Sequence, residues 1–254
     1  MLSNVPNDVS GVVRPVFPVL SDTVLARIIS DMNRRGYGVA TECIDPEDLA
    51  LLRGFIERKV ADSGGEYVVF SGRDDTRGTF MESLSKAPAF QAVCRKLYEA
   101  GTGRVAAESS FYQVLRCLSG RSGAQHAFLF HYDSFVLTAL MPVIMPTEGQ
   151  KGDLIMLPRM RRIRKTYIGN LMDKLLLDNK ITQLVMKKLI LSGKIKHTKV
   201  SMVPGNIYFF WGYRIIHANE PCDRDKIRAT ALFHYGNPHA GSWLRRIMRR
   251  TAPA

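Results

Sequence analysis

His131-Tyr132-Asp133 sets an imidazole and a carboxylate two residues apart, just after the apolar run Ala127-Phe128-Leu129-Phe130. At a strand end, side chains two apart point the same way, so both groups can face one site. His217 lies 86 residues downstream in the strand-like run 213–218, and Arg228 sits in another at 227–235. Two imidazoles and one carboxylate on one side of a metal, with the other side open, form the donor set that suits Fe(II) and reaction with O2. Arg228 suits a further task. A dicarboxylate such as 2-oxoglutarate, chelating through its keto acid end, needs a cation for its distal carboxylate, and a bidentate guanidinium matches it best. Alternation puts Arg228, Thr230, Leu232 and His234 on one strand face, so Arg228 and Thr230 can offer three donors to one carboxylate.

Those residues need a scaffold of adjacent strands. After Gly101, eight short apolar runs recur between Gly, Pro, Asn or Asp: 109–118, 127–131, 135–143, 152–157, 198–203, 206–211, 213–218 and 227–235. No helix follows each strand, so βαβ units are disfavoured and a mainly β jelly roll, cupin-like, is expected. In an eight-strand roll the second and seventh strands are neighbours; here these end at His131 and His217. Helices are expected before the roll, over 23–35, 46–62 and 87–99, with a short strand at 37–40. Residues 63–85 read as a loop with a possible strand at 67–70. A helical insertion spans 159–196, with Ile168, Leu171, Met172 and Leu175 on one face of its first helix. Ile181, Leu184, Val185 and Leu189 share a face of the second, and Asp178-Asn179 is the break. A basic C-terminal helix is expected over 241–250. The chain reads as one domain of 254 residues: N-terminal helical support over about 23–100, then a β core over about 105–240.

Charge is local. The net charge is +13, yet residues 159–199 hold twelve Lys or Arg against Asp173 and Asp178. Such a segment suits an anionic partner or surface. Three readings stay open: a lid over an anionic substrate, a face resting on an anionic membrane, or a solvated or oligomer-forming face. Nucleic acid is disfavoured, because Tyr167 is the segment's one aromatic and strand binders need stacking platforms. Four scattered cysteines without Cys-x-x-Cys argue against structural zinc and for a reducing compartment. With neither a secretory pattern at the N-terminus nor a long apolar run, a cytoplasmic protein is expected, at most peripheral at the inner face of a membrane.

The ordered set His131, Asp133, His217 and Arg228 resembles the Fe(II)/2-oxoglutarate-dependent dioxygenases, in particular their phytanoyl-CoA dioxygenase-like branch. The glycine-led run Gly152-Asp153-Leu154-Ile155-Met156-Leu157-Pro158 and the turn Val203-Pro204-Gly205-Asn206 resemble that branch too, over roughly residues 25–240. The resemblance implies a double-stranded β-helix. It implies Fe(II), 2-oxoglutarate and O2 as cofactor and co-substrates, and decarboxylation to succinate and CO2 with hydroxylation, desaturation or cyclisation of a substrate. His131, Asp133 and His217 would hold iron and Arg228 the 2-oxoglutarate. Phe128 matches an aromatic of the co-substrate pocket in some relatives, and Gln113 and Asn219 are further co-substrate candidates. An aspartate at 133, where a halogenase needs a vacancy, speaks against halogenation, and the paired C-terminal arginines of the nucleic-acid demethylases are missing. The long basic insertion departs from better-known relatives and leaves the substrate open: a small molecule or a lipid- or saccharide-linked one. The competing expectation is a non-catalytic cupin-like module that docks on an anionic membrane or partner through its basic helices.

Overall fold

A computed structural model describes residues 14–242. The expected C-terminal helix over 241–250 falls almost wholly outside the described residues. Helix α1 (Asp22–Arg35) begins where the Ser21 side chain accepts the Val24 N–H, one residue ahead of the expected span, and ends at Gly36. Strand β1 (Tyr37–Ala40) follows. Asp45 caps α2 (Pro46–Asp62), with proline in the first turn. Then come β2 (Val68–Ser71), α3 (Phe80–Lys86) and α4 (Pro88–Thr102). The α3 helix replaces part of the expected 63–85 loop. It is only seven residues long and is held by burial of Met81 and Leu84, too short for its period to stand out in sequence.

The β core contains β3 (Tyr112–Leu118), β4 (Leu137–Ile144), β5 (Leu154–Met160), β6 (Thr198–Val200), β7 (Ile207–Phe210), β8 (Ile215–Asn219) and β9 (Arg228–Tyr235). A short helix, α5 (Gly120–Ala124), follows β3. The strands form two sheets, one in the order β1-β7-β4-β9-β3-β2 and the other β6-β5-β8. The expected strand over 127–131 forms no ladder. It contributes a single bridge, His131 to His217, closed by backbone hydrogen bonds of 3.1 and 3.2 Å. That bridge sets the second and seventh runs side by side, as a jelly roll requires.

Strand alternation divides the large sheet's two faces. Leu115, Cys117, Ala139, Met141, Phe209, Ala231 and Phe233 pack against α1, α2 and α4 through Ile28, Met32, Leu52, Ile56, Phe90 and Leu97. Each fully buried Leu, Ile, Met or Phe among them is worth about 1.5–3 kcal/mol of burial free energy. The alternate residues, among them Val114, Arg116, Leu140, Phe210 and Arg228, line a cavity between the sheets.

The insertion folds as α6 (Tyr167–Asp178) and α7 (Lys180–Leu191), with Asn179 capping the second. Its faces differ from simple amphipathic packing. Leu177 and Ile190 bury against Phe128, Phe130, Ile155 and Leu157, while Ile168, Met172, Leu175, Ile181, Leu184 and Val185 are exposed.

Candidate metal and co-substrate site

His131, Asp133 and His217 each present a ligating atom, and these atoms lie within 4.8 Å of one another. Asp133 Oδ1 is 3.7 Å from His131 Nε2 and 3.5 Å from His217 Nε2. Local structure fixes all three. The Nδ1 of His131 lies 2.9 Å from the Leu129 carbonyl, and that of His217 lies 3.1 Å from the Ile215 carbonyl. A carbonyl only accepts, so each Nδ1 carries the proton and each Nε2 offers its lone pair to the centre. Asp133 donates its backbone N–H to the Gly212 carbonyl, and its Oδ2 accepts from Thr138 Oγ1 at 2.5 Å. Thr138 in turn lies 3.0 Å from His234 Nδ1. Because the hydroxyl proton goes to Asp133, His234 is the donor in that second contact. One carboxylate oxygen is thus engaged by Thr138 while the other faces the two imidazoles. Gly212 is required for this approach, since a Cβ there would sit 2.1 Å from Asp133 Oδ2.

The electrostatics follow. Burial would raise the Asp133 carboxyl, but the imidazoles of His217 and His234, then His131, hold it well below the usual carboxylate range. Burial, reinforced by His217 and offset in part by Asp133, pushes His131 down to about 4. Burial also lowers His234, with Asp133 opposing. Near neutral pH the site therefore presents one carboxylate and a neutral His131 imidazole, the protonation states metal ligation requires.

The same cavity is lined by Asn219, Arg228, Thr230 and His234 along with the triad. Arg228 is 1% exposed. Its Nε donates to the Gly152 carbonyl at 2.7 Å, and an Nη lies 3.4 Å from Thr230 Oγ1. Gly152 sits at φ +70°, and a Cβ there would come 2.5 Å from Arg228 Cδ, so the glycine leading β5 makes room for the arginine. Burial, then the nearby Arg116, lowers Arg228 to about 10. Among the described residues, Arg228 donates hydrogen bonds to neutral acceptors only. A buried cation without a carboxylate partner is costly. The arrangement is consistent with an anion-holding group.

Two candidates lie elsewhere. Gln113 points to the helix side of β3, where it bonds Thr76 and Ser85 at 3.2 and 3.1 Å. The register Arg116 opposite Thr230 puts Arg116 and Val114 in the cavity instead. Phe128 takes a positive φ of 55°, which breaks the extended run and turns its ring into the cluster with Leu177 and Ile190. Asn219 lines the cavity with its amide toward the His126 carbonyl. Sequence reasoning missed Arg116, whose Nε is buried with no hydrogen-bond partner among the described residues, and Thr138. Among the other histidines, His126 stacks on Tyr67 at 3.9 Å between ring centres, and His239 lies 2.9 Å from Tyr213 Oη.

Solved structures share this architecture. Iron-bound EctD from S. alaskensis superposes with a TM-score of 0.57 at 16% identity, over 88% of this chain and 82% of that one. The non-heme alpha-ketoglutarate-dependent carbocyclase SnoK from nogalamycin biosynthesis gives 0.55 at 11% identity, over 94% of both chains. A Pseudomonas putida prolyl-4-hydroxylase gives 0.52 at 11% identity, over 84% of this chain and 99% of that one. No protein-family model matches the sequence, and no curated protein matches it. At these identities the likeness establishes the fold: a mainly antiparallel jelly-roll core with flanking helices.

Proposed function

We propose that the chain is an Fe(II)- and 2-oxoglutarate-dependent oxygenase of the phytanoyl-CoA dioxygenase-like kind. The observation that carries the reading is the pairing, inside one cavity, of a His-Asp-His donor set with the buried Arg228. The donors fit the metal: two Nε2 lone pairs and one free carboxylate oxygen converge, and each ligand's far side is already engaged by protein. Bound there, Fe(II) with 2-oxoglutarate and O2 supplies an oxidant able to hydroxylate an unactivated C–H bond, with release of succinate and CO2.

The chain's own residues do the rest. Arg228 and Thr230 hold the distal carboxylate at the cavity floor, and the unpartnered Nε of Arg116 supplies a second donor to an anionic group. Asn219 adds an amide at the rim. Leu140, Leu154, Phe210 and Leu232 wall the cavity with apolar groups and limit water. Thr138, backed by His234, keeps the Asp133 carboxylate oriented. The substrate we propose is a small molecule or one linked to a lipid or saccharide carrier. Hydroxylation is the reaction favoured, although the same hydrogen abstraction also begins desaturation or ring closure, and SnoK is a carbocyclase. A cytoplasmic site of action suits four buried free thiols.

The test is succinate formation from 2-oxoglutarate by the iron-loaded protein, uncoupled or with candidate substrates. Turnover that vanishes in Asp133→Ala supports the assignment. Turnover that survives in that variant refutes it. The competing non-catalytic docking module is favoured by one observation, the apolar and basic face of the insertion, and it predicts no turnover with any substrate.

A further inference from the structure

The α6–α7 hairpin exposes what a water-facing helix pair normally hides. Met172, Leu175 and Leu176 on α6 and Ile181, Leu184 and Val185 on α7 stand in solvent, Ile181 at 77% exposure and Leu176 at 65%. Their spacing forms one stripe on each helix. The opposite stripes, through Leu177 and Ile190, face the same internal cluster, so both exposed stripes look away from the barrel. Scattered exposed apolar residues need no explanation, but a contiguous patch of this kind marks an interaction surface.

The occupant must match the charge as well. Lys180, Lys187, Lys188, Lys194 and Lys196 are exposed in the same segment. Asp173, one of its two acids, is consumed by ion pairs with Arg161 and Arg164. A second copy of this chain would bring the same cations against themselves, which opposes self-association. An apolar stripe flanked by lysines fits the interface of an anionic bilayer, with the ridge among the acyl chains and the ammonium groups at phosphate level. No described helix is long and apolar enough to cross a membrane, so the contact would be peripheral.

The hairpin is also fastened to the segment that carries the candidate ligands. Gln183 brackets Phe130, accepting its N–H and donating to its carbonyl, both at 2.8 Å. Lys174 Nζ donates to Ser134 Oγ at 2.8 Å. These anchors flank His131 and Asp133 on both sides. We infer that α6–α7 is a membrane-docking surface for anionic lipid bilayers, placed so that the docked protein holds its cavity close to the interface. The inference stands apart from the oxygenase reading, because docking needs no metal.

The experiment is co-sedimentation of the full chain with vesicles of phosphatidylcholine alone and of phosphatidylcholine mixed with phosphatidylglycerol. Binding is expected to the mixed vesicles only, falling with added salt. The combined variant Leu176→Gln, Ile181→Gln, Leu184→Gln should weaken it by about tenfold or more, and Lys187→Gln or Lys188→Gln by about fivefold each. All these positions are exposed, and an unchanged melting temperature checks that each variant folds. Equal binding to both vesicle types, or to neither, overturns the inference. So does a dimer in solution that the triple glutamine variant dissolves, which would assign the face to a second copy.

Discussion

The cavity and the α6–α7 hairpin break the usual rule of burial in opposite directions. The cavity hides an arginine, an aspartate and two histidines at under a tenth exposure, namely Arg228, Asp133, His217 and His234. The hairpin leaves leucines and isoleucines in water. Neither pattern helps the chain fold. Buried ions lose hydration that only good partners restore, and exposed apolar side chains forgo burial worth about 1.5–3 kcal/mol each. Departures of this kind concentrate where a protein does something other than fold. In the cavity the departure is supported at nearly every atom, with Nδ1 protons, Thr138 and the Gly152 carbonyl all engaged. On the hairpin none of the described residues covers it.

That contrast can be broken most severely at the donor set. His131→Ala or Asp133→Ala should reduce 2-oxoglutarate turnover by at least about a hundredfold, since even the outer partners of metal ligands cost 10–100-fold. Steady-state succinate assays read this. Arg228→Met should raise the KM for 2-oxoglutarate by about thirtyfold or more, as expected when one partner of a buried charged contact is removed. The same variant should leave the metal-free protein as stable as the parent or more so in urea unfolding, because it deletes a buried charge without a carboxylate partner. A large loss of stability instead would mean that Arg228 is structural. Thr138→Val, which keeps shape and removes the donor to Asp133, should weaken metal binding by about tenfold, measured by competition with a chelating dye.

Smaller effects sharpen the comparison. His131 has its folded pKa depressed from 6.5 to about 4, so the unfolded chain binds the extra proton between those values. Stability of the metal-free protein should therefore fall as pH drops through that window and be fully present above it. His131→Gln should flatten that part of a urea-midpoint profile. On the hairpin, Leu176→Gln should change unfolding free energy by no more than about 0.5 kcal/mol, while its cost appears only in vesicle binding.

The sequence showed some of this and concealed the rest for physical reasons. The grouping of His131, Asp133, His217 and Arg228 was legible because alternation within β9 and the strand order of a jelly roll act together. The whole cavity-facing set of β9, Arg228 through His234, followed from period two alone. The face of β3 was not legible, because Tyr112-Gln113-Val114-Leu115-Arg116-Cys117-Leu118 has apolar residues on both sides. Its register is set by pairing with β9, which periodicity cannot see, and so the pattern alone points to Gln113 where Arg116 faces the cavity. Phe128 escaped because one positive φ ends the extended run. The hairpin's stripes were visible as stripes. Which one the barrel covers depends on packing with Phe130 and Leu157, contacts distant in sequence.

The central claim is that the cavity binds Fe(II) and 2-oxoglutarate together. Its most direct test is the visible spectrum of metal-free protein titrated with both under anaerobic conditions. The account predicts a metal-to-ligand charge-transfer band that requires both components, is absent in His217→Ala, and needs a higher 2-oxoglutarate concentration in Arg228→Met. A folded protein that gives no band, or a band unchanged in His217→Ala, would contradict it.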